Sequence, residues 1–247
     1  MKDSACRRKL YFAHAYGYAC AVAQRLRSSA GRAELVQFID VTSPTFRWAL
    51  KRPAKRSVLH ELLYDLAQAD WNHEVTHWRI DSLEQFFRDH SERVPKRLRA
   101  ATDGNSDKLS SRLERPIEKL ADAAFYVLFG DRSALLSFNE MLASVIQDLS
   151  VLEFPELQKA GTVRRPGYIP TWLKRAVYHR DKGRCQVCHR DLTGVVSPIS
   201  EAHLDHIWPL ARSGCNDATN FQLLCGRCNG RKAAGAGATS EEYYVYW

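Results

Sequence analysis

The sequence predicts a mainly α protein: a helical N-terminal domain over residues 1–160, followed by a small α+β domain. Three observations predict this. Apolar residues recur at helical spacing through the first 160 positions, where strand signals are scarce. That periodicity stops between Pro155 and Pro170, in a stretch carrying Gly161, Arg164, Arg165, Pro166 and Gly167. Beyond it, five of the seven cysteines crowd between residues 185 and 228.

Taken in order, the helical segments are expected near residues 5–28, 33–40, 57–91, 107–129 and 132–150. The first contains Arg7, Arg8 and Lys9 ahead of an apolar run from Leu10 to Ala23, which imitates a secretory leader. His14 inside the run, Asp3 before it and the continuation into Gln24-Arg25-Leu26-Arg27 favour a buried first helix and a cytoplasmic location. In the last segment Leu135, Leu136, Phe138, Met141, Leu142, Val145, Ile146, Leu149 and Leu152 form a stripe expected to be core. Residues 161–168 read as a linker. Thr171 is expected to cap a short helix that Gly183 stops. Residues 234–247 read as a flexible segment with an aromatic tail, expected to dock on the helical domain or on a partner.

Composition narrows the class. At 247 residues and 45 % apolar, the chain can bury a core, which excludes a disordered tail or a fibre. No apolar run is long enough for a membrane span. The net charge of +8 favours a polyanionic partner. Less than half of that excess lies beyond residue 165, so attraction to phosphate there depends on local groups: Arg227, Arg231 and Lys232. Two further basic groups lie at Arg47, Lys51, Arg52, Lys55 and Arg56, and at Arg93, Lys96, Arg97 and Arg99.

The cysteines carry the strongest local signal. A single C-x-x-C pair arises by chance roughly 0.2 times at this composition. Here there are two, Cys185-Gln-Val-Cys188 and Cys225-Gly-Arg-Cys228, separated by 36 residues. Four thiolates from two such knuckles suit a closed tetrahedral Zn2+ site, the kind of staple that a core this small needs. Cys215 lies between the pairs and is surplus, while the isolated Cys6 and Cys20 read as small buried residues. Cys188-His189 also completes the C-x-x-C-H pattern of haem attachment, which would leave the second pair unexplained. His73-Glu-Val-Thr-His77 matches the zinc-protease pattern H-E-x-x-H, but Ile80 and Leu83 stand where its continuation needs Gly and His, so it is read as helix surface or core.

Between the knuckles, Glu201 to Pro209 reads as a strand presenting Asp205 beside His206, and Asn220 precedes an apolar run into Cys225. Asn229 and Lys232 follow the last cysteine. Over residues 169–233 this run resembles the HNH endonuclease family, in the branch with paired C-x-x-C knuckles and a ββα-metal fold. Asn229 stands where many relatives have His, making an H-N-N variant. The resemblance implies hydrolysis of phosphodiester bonds with a divalent cation. His206 would be the general base, and Asp205 and Asn229 would hold Mg2+ or Mn2+. Asn220 would hold the loop and orient His206. DNA is the expected partner, with RNA left open, and the setting would be bacterial defence or a mobile element. The helical domain would serve targeting, substrate or partner binding, with a protein partner or homo-oligomer formed through it or the tail. The rival reading is a zinc-stabilised nucleic-acid-binding module without catalysis.

Overall fold

The computed structural model describes residues 9–74, 80–95, 106–194, 202–232, 235 and 239–243. The protein is mainly α with a small α+β region near the C-terminus. The helices are α1 (Ala15–Arg27), α2 (Ser29–Leu35), α3 (Pro44–Lys51), α4 (Val58–Glu74), α5 (Ile80–Asp89), α6 (Ser106–Gly130), α7 (Arg132–Ile146), α8 (Thr171–Arg180) and α9 (Gly226–Lys232). Two antiparallel pairs accompany them: β1 (Leu157–Lys159) with β2 (Thr162–Val163), and β3 (Ala202–His206) with β4 (Phe221–Cys225). Among the described residues no helix is long and apolar enough to cross a membrane.

Local chemistry sets several boundaries. Ser28 caps α2 by accepting from the Gly31 N–H, and Ser43 caps α3, which begins with Pro44. Asp131 caps α7 through the Ala134 N–H at 3.0 Å. The α8 cap differs from expectation. Pro170 takes the cap position with no side-chain bond, so Thr171 is the first helical residue. Lys182 and Gly183 then turn with positive φ, and the Gly183 N–H returns to the Tyr178 carbonyl at 2.9 Å.

The chain forms two compact units. Among the described residues, one holds those up to Ala21 and from Leu62 to Val127. The other holds Val22–Glu61 and everything from Leu128 onward. This division differs from the one read along the sequence, which placed residues 1–160 together. The reason is a buried polar run, Asn216 to Asn220, whose hydrogen-bond partners come from distant helices. The Asn216 N–H donates to Ala49 O at 2.7 Å, the Val58 N–H donates to Asp217 Oδ2 at 2.8 Å, and Asn139 Nδ2 donates to Thr219 Oγ1 at 3.2 Å. Buried polar groups need such partners, and they draw those segments into the second unit.

The first unit is built on Leu83, Phe86, Phe87, Leu113, Ile117 and Leu120. In the second, Leu173 and Val177 of α8 pack with Phe221, Leu223 and Leu224 of β4 and with Cys185 and Cys228. β4 is buried along its whole length, as in a strand covered on both faces. A buried ion pair, Arg180–Asp181, ties α8 to it: Arg180 donates to Phe221 O at 2.6 Å and Asp181 Oδ2 accepts from the Leu223 N–H at 2.8 Å.

Four further expectations are corrected. Residues 155–170 contain the β1–β2 hairpin, turned by Gly161 at φ +62, so the stretch read as a linker is partly ordered by pairing. α3, over Pro44–Lys51, was not foreseen. Helix α7 ends at Ile146, which leaves Leu152 outside the core stripe and 98 % exposed. Cys20 is exposed. Cys6, His77, Lys96, Arg97 and Arg99 lie outside the described residues, as do the side chain of His73 and residues 244–247. Residues 239–243 lie on the start of α7, where Arg132 donates to Ser240 O and Glu242 O and sits 4.2 Å from the Tyr243 ring.

Candidate functional site

The two knuckles bring four sulfurs together. Cys185, Cys188, Cys225 and Cys228 have sulfur atoms all within 4.8 Å of one another, and Cys188 and Cys225 stand 3.7 Å apart. A tetrahedral zinc with bonds of about 2.3 Å requires sulfurs about 3.8 Å apart, so the cluster fits a structural Zn2+. Its electrostatics agree. Burial pushes the Cys185 and Cys228 thiols up, and neighbouring sulfurs push Cys228 further. Cys225 is drawn down to about 7 against burial, chiefly by the Cys228 N–H and then by the adjacent thiols. With Cys185 and Cys228 held as thiols by burial, a dication bound among the four sulfurs would supply the charge that makes them thiolates. Cys215 takes no part: it is buried elsewhere, its thiol pushed up by burial.

β4 leads directly from Asn220 into this cluster, and β3 lies beside it in a register that pairs His206 with Phe221 and Asp205 with Gln222. β3 ends at His206, earlier than the expected Pro209. The His206 ring is 5 % exposed and packs on Phe221 with centroids 4.5 Å apart. Its Nε2 lies 3.1 Å from Asn216 Oδ1. Asn216 Nδ2 donates to Arg164 O at 2.9 Å and to Lys51 O at 3.4 Å, both pure acceptors, which fixes the amide with its oxygen toward the imidazole. His206 therefore donates from Nε2, and Nδ1 carries the basic lone pair. Burial pushes the imidazole down to about 4, against the Asn216 hydrogen bond and Asp205, so it is neutral at pH 7.

Asn220 lies immediately before β4. Fully buried, it accepts from the Trp208 N–H at 2.7 Å and donates to Trp208 O and Cys215 O, closing the loop after β3. The hydrogen bond to the His206 ring comes from Asn216 instead. Sequence reading missed Asn216, although the density of Asn, Asp and Thr from 216 to 220 is the local signal of a loop braced by its own side chains.

Asp205, His206 and Asn229 line one cleft of about 570 Å³, together with Arg165 and Gly230. Arg165 comes from the supposed linker and was also missed. The Lys232 ammonium lies against Asp205 Oδ2 and the His206 carbonyl, with its side chain 6 % exposed. Expected among the phosphate contacts, Lys232 is turned inward. Arg227 and Arg231 remain exposed on α9. A positive charge already rests on Asp205, and the carboxylate and amide oxygens near it are the hard donors that Mg2+ or Mn2+ takes.

The other basic groups are partly engaged elsewhere. Arg47 and Lys51 both reach Glu156, at 3.2 and 3.4 Å, while Arg52, Lys55 and Arg56 are exposed. His189 contacts Glu242 at 3.3 Å, and His203 is exposed on β3.

No curated protein and no solved structure matches the chain. Residues 185–235 do match the family model of the HNH endonuclease. With its β3–β4–α9 order and its four-cysteine cluster, the C-terminal region of this chain is an HNH endonuclease domain of the zinc-binding kind.

Proposed function

We propose that this protein is a metal-dependent endonuclease that hydrolyses phosphodiester bonds in DNA. The observation that carries the reading is the His206 imidazole: neutral, held through Nε2 by Asn216, and sharing one cleft with Asp205 and Asn229. A general base must be unprotonated and fixed in orientation before the substrate arrives, and His206 meets both conditions. Nδ1 takes a proton from water, the water oxygen bonds to phosphorus, and one P–O ester bond breaks. Asp205 and Asn229 would hold Mg2+ or Mn2+, which when bound polarises the phosphate and stabilises the leaving oxygen. Arg165 adds positive charge at the cleft wall, and the exposed Arg227 and Arg231 are placed to meet the phosphate backbone.

The Lys232–Asp205 pair favours a second reading, a nucleic-acid-binding module without catalysis, because it neutralises the one carboxylate that lines the cleft among the described residues. Purified protein incubated with supercoiled plasmid and Mg2+ or Mn2+ separates the two. Nicked or linear product that disappears in His206→Ala supports the nuclease. Intact plasmid with DNA binding retained selects the module.

A further inference from the structure

His206 and Arg165 also line a second cleft, of about 560 Å³, whose other walls include Tyr168, Lys174, Tyr178 and His203. We propose that this cleft receives an unpaired nucleotide adjoining the scissile phosphate, so that the substrate is single-stranded nucleic acid or an unpaired end. The inference rests on the nuclease reading, since the strand is led into the cleft past His206.

Three features point to that ligand. The volume lies within the range of about 300–1,000 Å³ typical of small-molecule sites, ample for one nucleotide. Among the described residues no Asp or Glu lines the cleft, while Arg165 and Lys174 do, which suits a phosphate-bearing ligand. Tyr168 is 65 % exposed at the rim, with Lys174 Nζ 5.8 Å from its ring centroid. An aromatic face beside cations is how proteins hold unpaired strands: the base stacks on the ring and the cations follow the backbone. In a duplex the base faces are covered by their neighbours, so this ring has nothing to stack on. His206 and Arg165 line both clefts, so the second cleft adjoins the one that holds Asp205 and Asn229, within reach of a nucleotide next to a phosphate bound there.

The test is fluorescence anisotropy on the full zinc-loaded chain without added Mg2+ or Mn2+, using one labelled sequence as single-stranded DNA, single-stranded RNA and duplex DNA. Single strands are expected to bind about tenfold more tightly than the duplex. Tyr168→Ala is expected to remove most of that difference and Tyr168→Phe to keep it. Lys174→Ala should weaken single-strand binding and flatten its salt dependence. Tighter binding of the deoxy or the ribo strand names the sugar, and either supports the cleft. Equal or tighter binding of duplex, no binding at all, or an unchanged affinity in Tyr168→Ala overturns it. A chain that shows the Tyr168-dependent preference yet cleaves nothing in Mn2+ defeats the nuclease reading and keeps the cleft. Cleavage without that preference does the reverse.

Discussion

The Lys232 ammonium lies 2.6 Å from Asp205 Oδ2, with the two side chains only 6 % and 12 % exposed. Lys232 sits one turn after Asn229 on α9. The helix thus brings an amide to the cleft that Asp205 lines and a competing cation to its carboxylate. A divalent ion that binds Asp205 through Oδ2 must displace the lysine or share the oxygen with it.

Removing the ammonium while keeping the stem makes this measurable. In metal-free buffer Lys232→Met leaves an enclosed carboxylate unpaired and is expected to cost about 3 kcal/mol. Because a ligand stabilises the state that binds it, Mn2+ should raise the melting temperature of Lys232→Met more than that of the wild type. Equal shifts in thermal unfolding would show that the lysine does not oppose the cation.

The zinc cluster makes a sharper contrast among cysteines. Structural zinc binding is worth on the order of 10–16 kcal/mol, comparable to or greater than the stability of an ordinary domain. Cys225→Ser is expected to lose the metal and unfold the region around β4, as is treatment with a strong chelator. Cys215→Ser, outside the cluster, should retain one zinc per chain. Metal content by plasma mass spectrometry and circular dichroism check both.

Acid stability follows from His206. Its folded-state pKa of about 4 lies below the ordinary value of 6.5, so between these the unfolded chain binds the extra proton. The contribution is therefore complete above about pH 6.5 and is lost as pH falls toward 4, amounting to about 3 kcal/mol. His206→Gln can still donate to Asn216 and does not titrate. Urea unfolding at pH 7.5 and pH 5 should show the wild type losing more stability than this variant; parallel losses would contradict the assignment.

On the proposed nuclease reading, Asn216 would act on the reaction through the ring that it holds. Asn216→Ala removes the acceptor that selects the Nε2–H form, and cleavage is expected to fall about 10- to 100-fold while binding of the strand is unchanged. A fall in kcat with constant KM supports the positioning role. Loss of binding alone would place Asn216 in the substrate site instead.

Much of the metal chemistry was legible because it is local. The C-x-x-C knuckles place two sulfurs within one turn of chain, and Asp205 and His206 are neighbours on one strand, so spacing alone announced the four-cysteine cluster and the candidate pair beside it. The apolar stripe of α7 was equally legible through Ile146, where a fixed period ties sequence to burial. Leu152 continued the pattern without being core, because the helix ends before it.

What remained hidden depends on contacts between residues far apart in the chain. Arg165 looked like linker, yet the β1–β2 hairpin and the hydrogen bond from Asn216 to Arg164 O hold it at the cleft. Lys232 looked like one more surface cation until the packing of α9 against β3 enclosed it beside Asp205. The chain by itself determined which candidate ligands and which candidate base are present, through residue type and short-range spacing. Only the tertiary structure decided the tautomer of His206, the direction of Lys232 and the inclusion of Val22–Glu61 in the unit that holds the candidate site. Each of those turns on satisfying a buried polar group whose partner lies tens to more than a hundred residues away.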